Sequence, residues 1–121
     1  MNTTGFNTRQ LGQEGEQVAE AFLRQRGYRI LEKNYRNTFG EIDLIAEEDG
    51  TLVFVEVKKR RKASLAPPEA SVDFRKQHRL YRVALGYLSQ RRAADRRCRF
   101  DVVSICGEQV QLFQNAFEVS G

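Results

Sequence analysis

The sequence predicts an α/β fold, and three observations carry that prediction. Residues 10–26 and 72–89 place apolar side chains at helical spacing. Residues 42–46 and 52–57 are apolar runs of strand length on either side of Glu47-Glu48-Asp49-Gly50-Thr51, which reads as a hairpin turn. Two further strand-like runs, 100–105 and 110–113, flank a turn at Gly107-Glu108.

The elements follow in order. The first helix shows Val18, Ala19, Phe22 and Leu23 on one side, and Gly27 suits the left-handed position that ends a helix. Residues 28–31, with Tyr35-Arg36 beyond, look like a strand and its exit. The hairpin comes next. Residues 63–71 contain Pro67-Pro68, which cannot continue a strand, and read as a loop. The second helix groups Val72, Leu80, Val83, Ala84, Tyr87 and Leu88 near one face. Residues 91–97 form a basic connection to the last two strands. The main order is α-β-β-α-β-β, with the 28–31 segment ahead of the hairpin. One domain spanning residues 1–121 is expected, because the chain is long enough for one core and short for two.

Composition narrows the function. No apolar run approaches the roughly 20 residues of a membrane span, and residues 1–7 lack the pattern of a secretory signal. A cytoplasmic protein with no membrane partner is expected. Cys98 and Cys106 have no metal-ligand spacing and read as reduced thiols. Residues 1–56 carry six Lys/Arg against ten Asp/Glu, net −4, and residues 57–121 carry fourteen against six, net +8. The basic half opens with Lys58-Lys59-Arg60-Arg61-Lys62. Such runs are usually solvated faces; around an acidic pocket they would equally form a phosphate-binding surface.

The chemistry concentrates in the hairpin. Asp43 lies within the first run, and Glu56 and Lys58 end the second. In a strand, alternate residues share a face, so Glu56 and Lys58 point the same way, about 7 Å apart at their α-carbons. A lone Glu-x-Lys at a strand end is most often a solvated face. Here Val53, Val55 and Val57 form one apolar face, and Leu52 and Phe54 continue the other up to Glu56. Polarity thus begins at the C-terminal end of a strand buried on both sides, where α/β sheets tend to bind ligands. Two acids and a lysine there could hold a divalent ion and position a water for phosphodiester cleavage. Glu16 shares a helix face with Ala19 and Leu23; it either faces the sheet or is a helix-start acid favoured by the macrodipole. Glu41 is an acid of either the pocket or a strand edge. His78 lies on a basic helix and is a phosphate neighbour rather than a metal ligand.

These residues resemble the restriction-endonuclease-like, or PD-(D/E)xK, nuclease superfamily. The chain looks most like the YraN family of predicted endonucleases. The matching residues are Gly12, Gly15-Glu16, Ala19, Gly27-Tyr28, Asn34-Tyr35-Arg36, Gly40-Glu41-Ile42-Asp43-Leu44-Ile45 and Val53-Phe54-Val55-Glu56-Val57-Lys58 with Arg60. Lys76, Phe100-Asp101-Val102 and Asn115-Ala116-Phe117 also fit. Leu65-Ala66-Pro67-Pro68 replaces the family's usual glycine loop, and Ile42 stands where the superfamily's proline would be. The chain is also similar to archaeal Holliday-junction resolvases.

The resemblance implies a mixed central sheet flanked by helices. It implies a metal-dependent nuclease acting on nucleic acid, with DNA expected rather than RNA. Because the sequence lacks a helix-borne motif of the kind that reads bases, recognition by structure rather than sequence is expected. Asp43, Glu56 and the Val57 carbonyl would hold Mg²⁺ or Mn²⁺, with Glu16 completing the set. Lys58 would orient or deprotonate the attacking water, or stabilise the charge on phosphorus. Lys59, Arg60, Arg61, Lys62 and Lys76 would contact phosphates. A homodimer is left open. The alternative is a catalytically silent nucleic-acid-binding module, or an adaptor in DNA uptake, repair or translation.

Overall fold

The structure is a computed structural model and describes residues 8–60 and 72–118. Helix α1 (Thr8–Gln25) is followed by strands β1 (Arg29–Asn37), β2 (Gly40–Glu48) and β3 (Thr51–Arg60), helix α2 (Phe74–Gln90), and strands β4 (Cys98–Cys106) and β5 (Gln109–Phe117). The strands form one sheet in the order β1-β2-β3-β4-β5. Only the β3–β4 pair is parallel, joined by the α2 crossover, so the sheet is mixed. This α/β architecture is consistent with a restriction-endonuclease-like fold.

The two helices lie on opposite faces of the sheet. The alternation of β3 decides which residues meet which helix: Leu52 and Phe54 pack with Leu80, Val83 and Tyr87 of α2. Val53 and Val55 pack with Ala19 and Leu23 of α1. With both faces covered, the centre of β3 must be apolar, and Leu52, Val53, Phe54 and Val55 are all buried. Phe54 meets Tyr87 edge-on at 6.0 Å and Phe100 at 5.6 Å between ring centroids.

Three elements differ from the sequence reading. The segment before the hairpin is a full nine-residue strand, so the order is α-β-β-β-α-β-β. Its polar Glu32-Lys33-Asn34 stretch conceals this, because β1 is an edge strand held by pairing with β2 rather than by apolar alternation. Strand β5 likewise runs on to Phe117, where Phe117 stacks on Phe100 at 5.0 Å. Helix α2 starts at Phe74 rather than at residue 72, because the Asp73 side chain caps it by accepting the Lys76 N–H at 2.9 Å. The loop at 63–71, and with it Arg61 and Lys62, lies outside the described residues. Among the described residues, both cysteines are free, and no helix is long and apolar enough to cross a membrane.

Candidate functional site

Strand β2 changes phase at Asp43. Ile42 packs on the α2 side of the sheet and Leu44 on the α1 side, although residues two apart in a regular strand share a face. The β2–β3 ladder ends at Leu44↔Val55, one step short of Asp43. On the other side of β2, the register places Asn34 across from Asp43, between the pairs Lys33↔Leu44 and Tyr35↔Ile42. Asn34 has φ 52°, a left-handed backbone that asparagine tolerates better than most residues. The sheet thus opens locally on both sides of Asp43.

The Asp43 carboxylate fills the opening. Its Oδ2 accepts the Val57 N–H at 2.7 Å, taking the place of a ladder carbonyl. In a strand, the N–H and C=O of one residue face the same side, so the Val57 carbonyl faces this opening too. Glu56, 6% exposed, lies close enough for a side-chain hydrogen bond to Asp43. Burial, then the Glu56 charge, push the Asp43 carboxyl up to about 8, against the opposing pull of the Val57 N–H.

Two ammonium groups meet Glu56 from the α2 side. Lys76 pairs directly with Glu56 Oε2, and Lys58 Nζ lies 3.6 Å from the same oxygen. Burial and then the neighbouring Lys76 hold Lys58 below the usual lysine range, with Glu56 opposing them. Burial would lower Lys76 as well, but the Glu56 hydrogen bond and charge outweigh it and raise Lys76. Asp43, Glu56, Val57, Lys58 and Lys76 line one cleft of about 320 Å³, with Gly40, Glu41, Arg79 and Leu80 at its walls.

Glu16 reaches the same acids from α1. Its carboxyl is raised chiefly by burial, is hydrogen-bonded to Asn34, and lies within hydrogen-bonding reach of Asp43. Glu41, in the cleft wall, is paired with Arg36, 3.0 Å from its Nη2. The Lys59 stem lies across α1, where a Cβ on Gly15 would sit 2.7 Å from Lys59 Cδ. Lys59 therefore follows the α1 face and not the α2 face that carries Glu56 and Lys58. Arg60 ends β3 and is half-buried.

The sequence named Lys76 as a phosphate contact but not as the partner of Glu56, and it assigned no role to Arg79 or Asn34. Arg79, one helical turn after Lys76, could have been found from that spacing. Asn34 leaves no periodic signal, because its contribution is a left-handed backbone in an edge strand. A larger concavity of about 540 Å³ lies away from these groups, between Arg26, Tyr28 and β5. The tyrosine there belongs to a satisfied structural network around Asp101.

The donor set fits a hard divalent cation in part. Two adjacent carboxyls and a main-chain carbonyl are oxygen donors, and one or two carboxylates are the usual protein share of a Mg²⁺ shell. Among the described residues, no three His, Cys, Asp or Glu side chains converge into a metal-binding group by themselves. Lys76 meanwhile supplies positive charge to Glu56.

A mixed sheet with a helix on each face and an Asp–Glu–Lys cleft on its two central strands β2 and β3 is an α/β architecture consistent with a restriction-endonuclease-like fold. Residues 15–105 match the profile of the Uncharacterised protein family UPF0102, and the chain belongs to that family. A UPF0102 protein of Persephonella marina is 43% identical over 108 residues, covering 89% of this chain and 93% of the relative. One from Desulfosudis oleivorans is 47% identical over 113 residues, 92% of each chain. One from Moorella thermoacetica is 50% identical over 97 residues, 80% of this chain and 81% of the relative.

Proposed function

We propose that this protein is a metal-dependent nuclease that hydrolyses phosphodiester bonds in structured DNA. The observation that carries the reading is the convergence of Asp43, Glu56 and Lys58 in one cleft, with the Asp43 carboxyl pushed up to about 8. Clustered buried acids repel each other unless a proton or a cation intervenes. Asp43, Glu56 and the Val57 carbonyl would hold Mg²⁺ or Mn²⁺, with Glu16 supporting Asp43. When bound, the ion supplies Lewis acidity and neutralises phosphate charge.

The chain's own residues do the rest. Lys58, held below the usual lysine range, orients the attacking water and is disposed to take its proton. Lys76 and Arg79 face the cleft and hold the phosphate against the acids. Asp43 is fixed by the Val57 N–H, so its lone pairs are oriented before substrate arrives.

A second reading is favoured by one observation: the Lys76 ammonium sits on Glu56 and competes for the oxygen a metal would use. That arrangement suits a catalytically silent nucleic-acid-binding module. A cleavage screen with Mg²⁺ and Mn²⁺ on branched, flapped, single-stranded and RNA substrates separates the two. The nuclease reading expects metal-dependent cuts that Asp43→Ala abolishes while binding persists. Binding with no cut in either metal, on any of these substrates, establishes the silent module.

A further inference from the structure

The first turns of α2 present a second surface beside the catalytic cleft. Phe74, Arg75, His78, Arg79 and Arg82 recur at helical spacings of three and four, opposite the face that Leu80, Val83 and Tyr87 bury. Together with Phe39 they line a cleft of about 480 Å³. Phe74 is 79% exposed and Phe39 45% exposed, the two most exposed phenylalanines among the described residues. Among the described residues, no acidic side chain lines this cleft.

The Phe39 ring is held in place, and Phe74 stands exposed beside it. Asn37 ties the β1–β2 turn to α2 by donating to the Val83 carbonyl at 3.2 Å, and its Oδ1 accepts the Phe39 N–H at 2.9 Å. Gly86 permits that approach, since a Cβ there would lie 2.7 Å from Asn37 Nδ2. The Arg82 guanidinium lies over the Phe39 ring at 5.0 Å. Arg79 lines both this cleft and the Asp43–Glu56 cleft, so the two are contiguous.

We infer that the Phe39–Phe74 cleft is a stacking platform for unpaired bases of a single-stranded nucleic-acid segment, whose backbone runs over Arg79 into the Asp43–Glu56 cleft. Exposed aromatic faces set among cations are how proteins hold single strands without reading sequence. A duplex keeps all but its two end faces stacked internally and has no unpaired base to place between the two rings. A second copy of this chain is the poorer occupant: covering the cleft with itself would bring Arg75, Arg79 and Arg82 against their own copies. The inference rests on the nucleic-acid reading above, deepens it to unpaired substrate, and does not require cleavage.

The test uses the full chain carrying Asp43→Asn in EDTA, so that binding is read without cutting. The probes are a short single-stranded oligonucleotide with a fluorescent adenine analogue, and a blunt duplex of the same sequence. Base–aromatic stacking contributes about 5- to 150-fold in affinity per base. Phe39→Ala with Phe74→Ala should weaken single-strand binding by at least about fivefold, abolish the fluorescence change on binding, and leave duplex affinity within about twofold. Phe74→Trp should preserve single-strand affinity. If Phe39→Ala disturbs folding by circular dichroism, Phe74→Ala alone decides, since that side chain is mostly in solvent. Unchanged single-strand affinity overturns the inference, as does an equal loss on both probes. So does a sedimentation result in which the double variant splits a dimer without touching single-strand affinity. In any of these cases, metal-dependent duplex cutting by the unsubstituted chain would leave the nuclease reading standing. Single-strand binding of the expected kind, with no cutting in any metal, would leave only the platform.

Discussion

Asp43 Oδ2 accepts the Val57 N–H at 2.7 Å, at the point where β2 stops pairing with β3. One acid therefore closes the sheet and faces the cleft. The two contributions separate by substitution. Asp43→Asn keeps an oxygen for the Val57 N–H and removes the charge that Glu56 and Glu16 oppose. It should be neutral or stabilising without metal, and inactive. Asp43→Ala strands a half-buried N–H, which costs about 1–3 kcal/mol. Chemical denaturation in EDTA checks the order; an Asn variant less stable than the Ala variant would show that the charge itself is structural.

The same acid sets a pH dependence. A carboxyl raised from 3.8 to about 8 binds its proton more tightly in the folded chain than in the unfolded one. The stability this confers is complete below about pH 4, drains as pH rises, and is gone above about pH 8. Without metal, the unsubstituted chain should lose stability across that window, and Asp43→Asn should lose much less. Mg²⁺ added at pH 8 should restore the melting temperature of the unsubstituted chain, because a ligand of the folded state stabilises it. A Mg²⁺ response equally large in Asp43→Asn would place the ion elsewhere.

Lys76 and Glu56 test what holds a buried acid when no metal does. Removing one partner of a fully buried pair costs about 3–5 kcal/mol. Lys76 is about a third exposed and Lys58 remains 3.6 Å from Glu56, so Lys76→Met should cost less, roughly 1–3 kcal/mol. Glu56→Gln made in the Lys76→Met background should recover part of that loss. A double-mutant cycle with no coupling between the two positions would contradict the pairing.

How much of this was legible depends on whether the signal is local. The alternation Leu52–Phe54 against Val53–Val55 is written in the residues themselves, and it fixed both faces of β3 and the shared side of Glu56 and Lys58. The spacing of Glu16 to Ala19 and Leu23 allowed its approach to the acids but did not decide it against a helix-start role. The phase change at Asp43 was not legible, because it arises from two strands opening together and shows only as a left-handed Asn34. Glu41, left open between the pocket and a strand edge, lines the cleft and pairs with Arg36 at 3.0 Å. The Lys76–Glu56 pair spans the α2 crossover, a distance over which periodicity carries no information.

Asp101 offers a control on the far side of the sheet. It is fully buried and accepts from Tyr28 Oη at 2.8 Å, Arg99 Nε at 3.0 Å and the Asn115 N–H at 2.9 Å. Arg99 also reaches Tyr28 Oη and Glu48, each at 2.8 Å, which ties β4, β5, β2 and the end of α1 together. Asp101→Ala leaves Arg99 and Tyr28 without their shared acceptor and should destabilise by about 3–5 kcal/mol. Its binding to nucleic acid, measured well below its lowered melting temperature, should be unchanged. A selective binding defect in the folded variant would extend the functional surface to this side.

Arg79 is where cleft, platform and turn meet. It lines both concavities, and Gly40, with φ +145°, lies against its stem, where a Cβ would sit 3.1 Å from Arg79 Cδ. Gly40→Ala should therefore strain the turn and displace the guanidinium. If Arg79 holds a phosphate, Arg79→Gln should weaken binding to all sequences alike. It should also flatten the log–log salt dependence by about 0.7 on single strands and about 0.9 on duplex, because one fewer counterion contact is released. Gly40→Ala should reproduce part of that change while every charge is retained. A salt titration of binding in Ca²⁺ reads both variants. An unaltered slope in Arg79→Gln would assign this arginine to a solvated face and leave phosphate contact to Lys76.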